Sequence, residues 1–228
     1  MSGMVSLFIV PTPIGNLEDI TLRALRILKE VGVILTEDTR KTGILLRHYG
    51  IGKKMVSHHQ FNEHKTLLPV IQRLKAGATA ALVSDAGTPG ISDPGYLLIR
   101  ECIREGLRVE CLPGPTALIP AIVSSGIACD QFFFAGFLPH KKGRQSRIET
   151  LAILPFTIVL YESPHRLLKT LDQLASFFGE NRQGCISREM TKIHEEHKRG
   201  NLRELCEYFS TFPAKGEVVI VVEGFRRD

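Results

Sequence analysis

Ala80-Ala81-Leu82-Val83, running into Ser84-Asp85-Ala86-Gly87-Thr88-Pro89-Gly90-Ile91-Ser92-Asp93-Pro94-Gly95, decides the fold. The unbroken apolar run is the pattern of a strand covered on both faces of a parallel sheet. The segment behind it holds three glycines and two prolines, a turn-rich loop rather than a continuation of the strand. Leu97, Leu98 and Ile99 then open a helical pattern that continues through Cys102 and Ile103. Open α/β sheets bind ligands at the carboxyl ends of such strands, and glycines there allow close approach of backbone N–H groups. Taken alone the loop suits a structural turn as well as a ligand edge.

Outward from this stretch, strand and helix patterns alternate, which predicts an α/β fold. Strands are expected at Val5–Val10, Val33–Thr36, Met55–Ser57, Thr79–Val83 and Arg108–Leu112, with helices starting after Asp19 or Thr21 and spanning Thr39–His48 and Asn62–Lys75. Pro113-Gly114-Pro115 interrupts the alternation, because neither proline can donate a ladder hydrogen bond. A domain junction is placed there, giving an N-terminal domain at 1–113 and a C-terminal domain at 116–228. The second half carries strand patterns at Phe132–Phe137, Thr157–Tyr161, Gly184–Arg188 and Glu217–Glu223, and helical ones at Thr116–Ser125, Pro164–Phe178 and Leu202–Phe209. Its aromatic and β-branched strands predict a mixed or antiparallel sheet. Two small α/β domains imply a cleft between them, a preferred place for a ligand.

At 228 residues and 43% hydrophobic content the chain supports a sizeable core. No apolar run is long enough to span a bilayer, and Met1-Ser2-Gly3-Met4 lacks the basic start of a signal peptide, so a cytoplasmic location is expected. The five cysteines include no C-x-x-C pair, which predicts reduced thiols. A formal net charge of +5 favours polyanionic partners. Four cations, Lys141, Lys142, Arg144 and Arg147, crowd one short segment; it suits phosphate contacts and also a solvated helix start.

Walker, dinucleotide, nucleophile-elbow and H-E-x-x-H signatures are absent. The histidines lack the compact ligand spacing of a catalytic metal site, and no metal is expected. What is present is a set of ordered blocks: Val10-Pro11-Thr12-Pro13-Ile14-Gly15-Asn16-Leu17, Glu37-Asp38-Thr39-Arg40, Ser84 to Gly95, Pro113-Gly114-Pro115-Thr116-Ala117, Tyr161-Glu162-Ser163-Pro164-His165-Arg166, Arg188-Glu189-Met190-Thr191-Lys192 and Lys215-Gly216-Glu217. In order and spacing they resemble the small-subunit ribosomal RNA cytidine 2′-O-methyltransferase family, a branch of the tetrapyrrole methylases. The resemblance spans nearly the whole chain. It implies a class III methyltransferase fold of two α/β domains with S-adenosylmethionine in the cleft, a small-ribosomal-subunit RNA substrate and a homodimer. Gly87-Thr88-Pro89 stands where tetrapyrrole-acting relatives carry Gly-Asp-Pro, which favours the RNA branch. Many members carry a further helical module beyond the Val222-Glu223-Gly224 region, whereas this chain stops at Asp228; RNA docking is therefore less firmly implied than the cofactor. A small-molecule methyltransferase and a non-catalytic RNA-binding or assembly protein are the alternatives.

By the same resemblance the cofactor contacts are Pro11, Pro13, Ile14, Gly87, Thr88, Pro89, Thr116 and Ala117, with Tyr161, Glu162, Lys215, Gly216 and Glu217 from the second domain. A ribose hydroxyl is a weak nucleophile, so a base is expected: Glu37 and Asp38 at the end of the second strand, or Glu162. Asp38 equally suits a helix N-cap, and Glu162 a local backbone hydrogen bond. Arg40 either clamps a phosphate or pairs with a carboxylate. Asn62-Glu63 either positions a nucleotide or, for Asn62, caps a helix, and Arg188, Glu189 and Lys192 form an ion-pair network at the cleft rim or a purely structural one. Arg166 joins Lys141, Lys142, Arg144 and Arg147 as a candidate phosphate contact.

Overall fold

A computed structural model describes residues 4–226; Met1–Gly3, which open the segment read for a signal peptide, and Arg227–Asp228 lie outside the described residues. The chain divides into two compact units, Met1–Thr116 and Ala117–Asp228.

The first unit holds β1 (Leu7–Ile9), α1 (Leu22–Glu30), β2 (Val33–Thr36), α2 (Thr39–His48), β3 (Met55–Ser57), α3 (Glu63–Lys75), β4 (Ala80–Val83), α4 (Tyr96–Arg104) and β5 (Val109–Cys111). Its strands form one sheet in the order β3-β2-β4-β1-β5, parallel throughout. Every residue of β4 is buried, as its apolar run requires at the centre of a two-faced sheet. Alternate strand residues supply two cores. Val10, Ile34, Ala81 and Val83 pack with Ala24, Leu28, Leu45 and Leu46 of α1 and α2. Leu7, Ile9, Leu35 and Leu82 pack with Val70, Leu74, Leu98 and Cys102 of α3 and α4. The helices thus cover both faces of the sheet. The loops leaving the carboxyl ends of β1 and β4 lead to helices on opposite faces of the sheet, the arrangement of a topological switch point in a doubly wound sheet.

Thr21 caps α1, accepting from Ala24 N, while Asn16 caps a short 3₁₀ turn at Leu17–Asp19. Asp19 therefore lies inside that turn.

The second unit holds α5 (Leu118–Ser125), β6 (Phe132–Phe137), α6 (Arg144–Ala152), β7 (Thr157–Glu162), α7 (Leu167–Phe178), β8 (Gln183–Arg188), β9 (Glu196–Asn201), α8 (Leu202–Thr211) and β10 (Val218–Val222). The sheet order is β6-β7-β10-β8-β9. β6 runs parallel to β7 and the remaining pairs are antiparallel, so the sheet is mixed. Leu151, Leu160, Leu171, Leu205, Ile220 and Val222 centre a core under α6, α7 and α8. Strand β9 and helix α6 are additions to what the sequence pattern predicts.

Candidate functional site

Three loops of the first unit are laced together at the carboxyl edge of its sheet. Thr12 N donates to Gly87 O at 2.9 Å and Gly87 N to Thr12 O at 2.8 Å, a two-bond bridge between the loops after β1 and β4. Thr12 Oγ1 donates to Ser84 O at 3.2 Å. Thr88 Oγ1 donates to Pro115 O at 3.0 Å, bringing in the loop after β5. A Cβ on Gly114 would sit 2.7 Å from Pro11 Cβ, so these loops touch at a point where only glycine fits. Gly87 has φ +78°, and a Cβ there would meet Ile14. Pro11, Pro13, Ile14, Gly87, Thr88, Pro89 and Thr116 are thus gathered along one edge. The Thr88 hydroxyl thus serves the lacing.

Next to this cradle stand the carboxylates. Asp38 caps α2, its Oδ1 accepting from Arg40 N at 2.8 Å. The Arg40 guanidinium bonds both its oxygens, at 3.1 and 2.8 Å. These hydrogen bonds hold the Asp38 carboxyl down to about 2. A carboxylate so acidic and so occupied is a poor proton acceptor, which corrects its reading as a catalytic base. Glu37 is different: burial first, then the nearby Asp85 charge, push its carboxyl above the ordinary range, against Lys41 and His59, which lower it. Asp85, missed in the sequence, accepts from Lys41 Nζ at 2.7 Å and from Asp38 N at 3.1 Å. Lys41, Asp85, Thr12, Pro13 and Ser84 line one open hollow. A neighbour pair 44 positions apart in the chain leaves no local sequence pattern.

In the second unit Glu162, Val218, Arg188 and Glu196 lie in register across four strands, so the Tyr161, Lys215–Glu217 and Arg188–Lys192 blocks share one sheet edge. Gly216 has φ +78° and a Cβ there would collide with the Glu189 carboxylate. That carboxylate accepts from Lys192 Nζ at 2.8 Å and from Glu217 N at 3.2 Å. Lys192 also reaches Glu217 at 3.2 Å, and Arg188 pairs with Glu196 at 2.5 Å. The expected Arg188–Glu189–Lys192 network is thus divided in two: Lys192 joins Glu189 and Glu217, while Arg188 pairs separately with Glu196. The Tyr161 ring packs edge-on against Phe134 and Phe137.

Glu162 is corrected outright. Its side chain is 1% exposed, and it accepts from Ser163 N at 2.8 Å, Thr170 Oγ1 at 2.7 Å and Arg166 Nη2 at 3.2 Å. With its lone pairs taken inside the core, it is neither a base nor a free cofactor contact. Arg144 is corrected with it. Its guanidinium is buried on Gln173, Pro139 O and Thr170 at 2.7, 3.1 and 2.6 Å, 3.7 Å from Glu162. Arg166 is likewise spent on Glu162, His140 and Leu138 O. Lys141 and Lys142 are exposed, and Arg147 lies over the Phe133 ring at 5.4 Å. Arg40 is 88% exposed yet paired with Asp38.

Among the described residues no three His, Cys, Asp or Glu side chains are placed to hold a metal ion. No described helix is long and apolar enough to cross a membrane.

A doubly wound parallel sheet with laced loops at its carboxyl edge, followed by a mixed-sheet α/β unit, is the architecture of the tetrapyrrole methylase class, as the family match shows. The family profile described as Tetrapyrrole (Corrin/Porphyrin) Methylases matches residues 6–206, and the chain belongs to that family. Among curated relatives, Ribosomal RNA small subunit methyltransferase I of Synechocystis sp. is 48% identical over 96% of this chain and 78% of its own length. The protein of that name from Thermotoga maritima is 47% identical over 97% of this chain and 99% of its own. The solved methyltransferase CobJ shares the fold, with a TM-score of 0.73 at 18% identity over 99% of this chain and 97% of its own. So does uroporphyrin-III C-methyltransferase from Thermus thermophilus complexed with S-adenyl homocysteine, with a TM-score of 0.67 at 20% identity over 96% of this chain and 97% of its own.

Proposed function

We propose that the chain is an S-adenosylmethionine-dependent methyltransferase that modifies the 2′-hydroxyl of a cytidine ribose in small-subunit ribosomal RNA. The observation that carries this reading is 47–48% identity, over nearly all of the chain, to proteins named as small-subunit ribosomal RNA methyltransferases. The solved neighbours, at 18–20% identity, share the architecture alone. A homodimer and a cytoplasmic location belong to the same reading.

The first-unit cradle fits the cofactor. Gly114 lets the loop after β5 close against Pro11, where a Cβ would collide, and the loops at 11–16 and 113–117 carry no charged side chain. Pro11, Pro13, Ile14, Gly87, Pro89 and Thr116 are the proposed contacts, with Ala117, Tyr161 and the Lys215–Glu217 turn as those of the second unit. When bound, S-adenosylmethionine supplies an activated methyl group, so the protein's work is alignment, exclusion of water and removal of one proton. Glu37 is the proposed proton acceptor. Burial and the nearby Asp85 charge raise its carboxyl above the ordinary range, which makes it a better proton acceptor than Asp38. Asp38 fixes the start of α2 behind it, and Arg40 locks Asp38. Lys141, Lys142 and Arg147 contribute phosphate contacts. Titration calorimetry tests the cofactor step: S-adenosylmethionine binds the wild type, and absence of heat at saturating ligand would refute it.

A further inference from the structure

We propose that the hollow lined by Gln60, Glu63, Ser92, Asp93 and Tyr96 receives the nucleobase of the methyl-accepting nucleotide, with Phe61 as its stacking platform. The proposal rests on the RNA-substrate reading and adds the residues that recognise the base.

The hollow is built by the β3–α3 and β4–α4 loops, at the same carboxyl edge as the cradle. The first loop is tied down on every side. His58 N donates to Thr36 O at 2.8 Å, and His58 Nδ1 shares a proton with Thr66 Oγ1 at 2.7 Å. Asn62 Oδ1 accepts from His59 N at 2.8 Å, and its amide donates to Ser57 O at 3.1 Å. Asn62 is therefore the tie of the loop, neither a nucleotide contact nor a side-chain cap of α3. Its neighbour Phe61 is 90% exposed. Leaving a Phe ring in water forgoes about 2 kcal/mol of burial, and nothing in the fold collects it. The ring is nonetheless oriented, edge-on to His59 at 6.0 Å between centroids, with Phe61 N donating to His59 Nδ1 at 3.2 Å. An oriented, exposed ring on a fixed loop is what a sequence-tolerant base stack requires.

The opposite wall is equally constrained. Ser92 holds φ +62° although it is not glycine, a conformation kept where surroundings impose it. Gly95 has φ +130°, and a Cβ there would lie 2.7 Å from Leu82 Cδ2. Tyr96, 62% exposed, has the Arg100 guanidinium over its ring at 5.3 Å. The polar lining then selects the base. Glu63 offers a carboxylate acceptor, and Gln60 offers an amide that both donates and accepts. Cytosine presents an amine donor where uracil presents an oxygen, and carboxylates pair with that amine. His59, on the loop that carries Gln60 and Phe61, acts electrostatically on the Glu37 carboxyl.

The test separates recognition from chemistry. Affinity for a single-stranded RNA hexamer containing one cytidine, and for its uridine counterpart, is measured by fluorescence anisotropy on the full chain. Phe61→Ala is expected to weaken cytidine-hexamer binding about tenfold, and Phe61→Trp to restore it to within about threefold of wild type. Gln60→Ala and Glu63→Gln are expected to abolish the preference for the cytidine hexamer. Leu22→Ala, which removes another exposed apolar side chain, 86% exposed on α1, controls for loss of apolar surface and leaves binding unchanged. Calorimetry confirms intact cofactor binding by each variant. Equal affinity of wild type and Phe61→Ala overturns the platform, whatever the enzyme methylates. Phe61-dependent binding by a wild type that transfers no methyl to small ribosomal subunits upholds the platform and refutes the substrate reading instead.

Discussion

The Lys41 ammonium lies 2.7 Å from Oδ2 of Asp85, and Oδ1 of the same carboxylate accepts from Asp38 N at 3.1 Å. One side chain from the β4 loop thereby fastens the first turn of α2, and it does so beside Glu37. The pair sets the electrostatic surroundings of the proposed base from both sides, Asp85 raising its carboxyl and Lys41 lowering it.

The pH–rate profile reads that balance directly. A base must be unprotonated to act, so kcat/KM rises with pH through the Glu37 carboxyl and levels off above it. Asp85→Asn removes a charge that raises this carboxyl and keeps an acceptor for Asp38 N; the acid limb is expected to move to lower pH. Lys41→Met removes a charge that lowers it, and the limb moves to higher pH. His59 and Asp38 are unchanged in both variants and act in opposite senses. Glu37→Gln is expected to cut kcat by about 10²–10⁴-fold and abolish the limb.

Gly114→Ala tests the lacing. The new Cβ would fall 2.7 Å from Pro11 Cβ, and overpacking of that kind costs about 1–3 kcal/mol. If the strain is released by spreading the cradle, calorimetry will show S-adenosylmethionine affinity about tenfold weaker. Gly52→Ala, where a Cβ meets nothing within 4 Å, leaves affinity unchanged.

Much of this architecture is legible in the chain itself. Ala80–Val83 and Val218–Val222 are wholly buried strands whose apolar runs could hardly serve otherwise. The edge strand β9, Glu-His-Lys-Arg-Gly-Asn, is invisible to hydrophobic patterning because it has no apolar side chain to alternate. It is held instead by its ladder to β8 and by cross-strand pairs, Ser187 with His197 at 2.8 Å and Arg188 with Glu196. The backbone loops of the cradle are readable because glycine and proline advertise their geometry. Arg144 and Glu162 are open to misreading because a residue's identity says nothing of its partners. Within a basic run Arg144 resembles a surface cation, and only the fold shows it closing a buried network around Glu162.

That network predicts a division of labour among the cations. Arg144→Met strands the Glu162 carboxylate with one fewer cation beside it in the core, which costs about 3–5 kcal/mol for a broken buried pair. Urea unfolding should report the loss, while RNA affinity of the folded fraction stays at the wild-type value.

Exposed Lys141 and Lys142, with half-buried Arg147 beside them, should behave in the opposite way. Replacing Lys141, Lys142 and Arg147 together with alanine is expected to leave the urea midpoint nearly unchanged. It should flatten the plot of log affinity against log salt for RNA by about 2 to 3, since each phosphate that a cation neutralises adds about 0.7–0.9 to the slope. An unaltered slope in filter binding would remove this segment from the RNA surface.

The most direct measurement is transfer of a labelled methyl group from S-adenosylmethionine to small ribosomal subunits purified from cells lacking this protein, followed by nuclease digestion and mapping of the product. Label on the ribose 2′-oxygen of a cytidine, abolished by Glu37→Gln, is the predicted result; label on a base, or none on RNA, would contradict it.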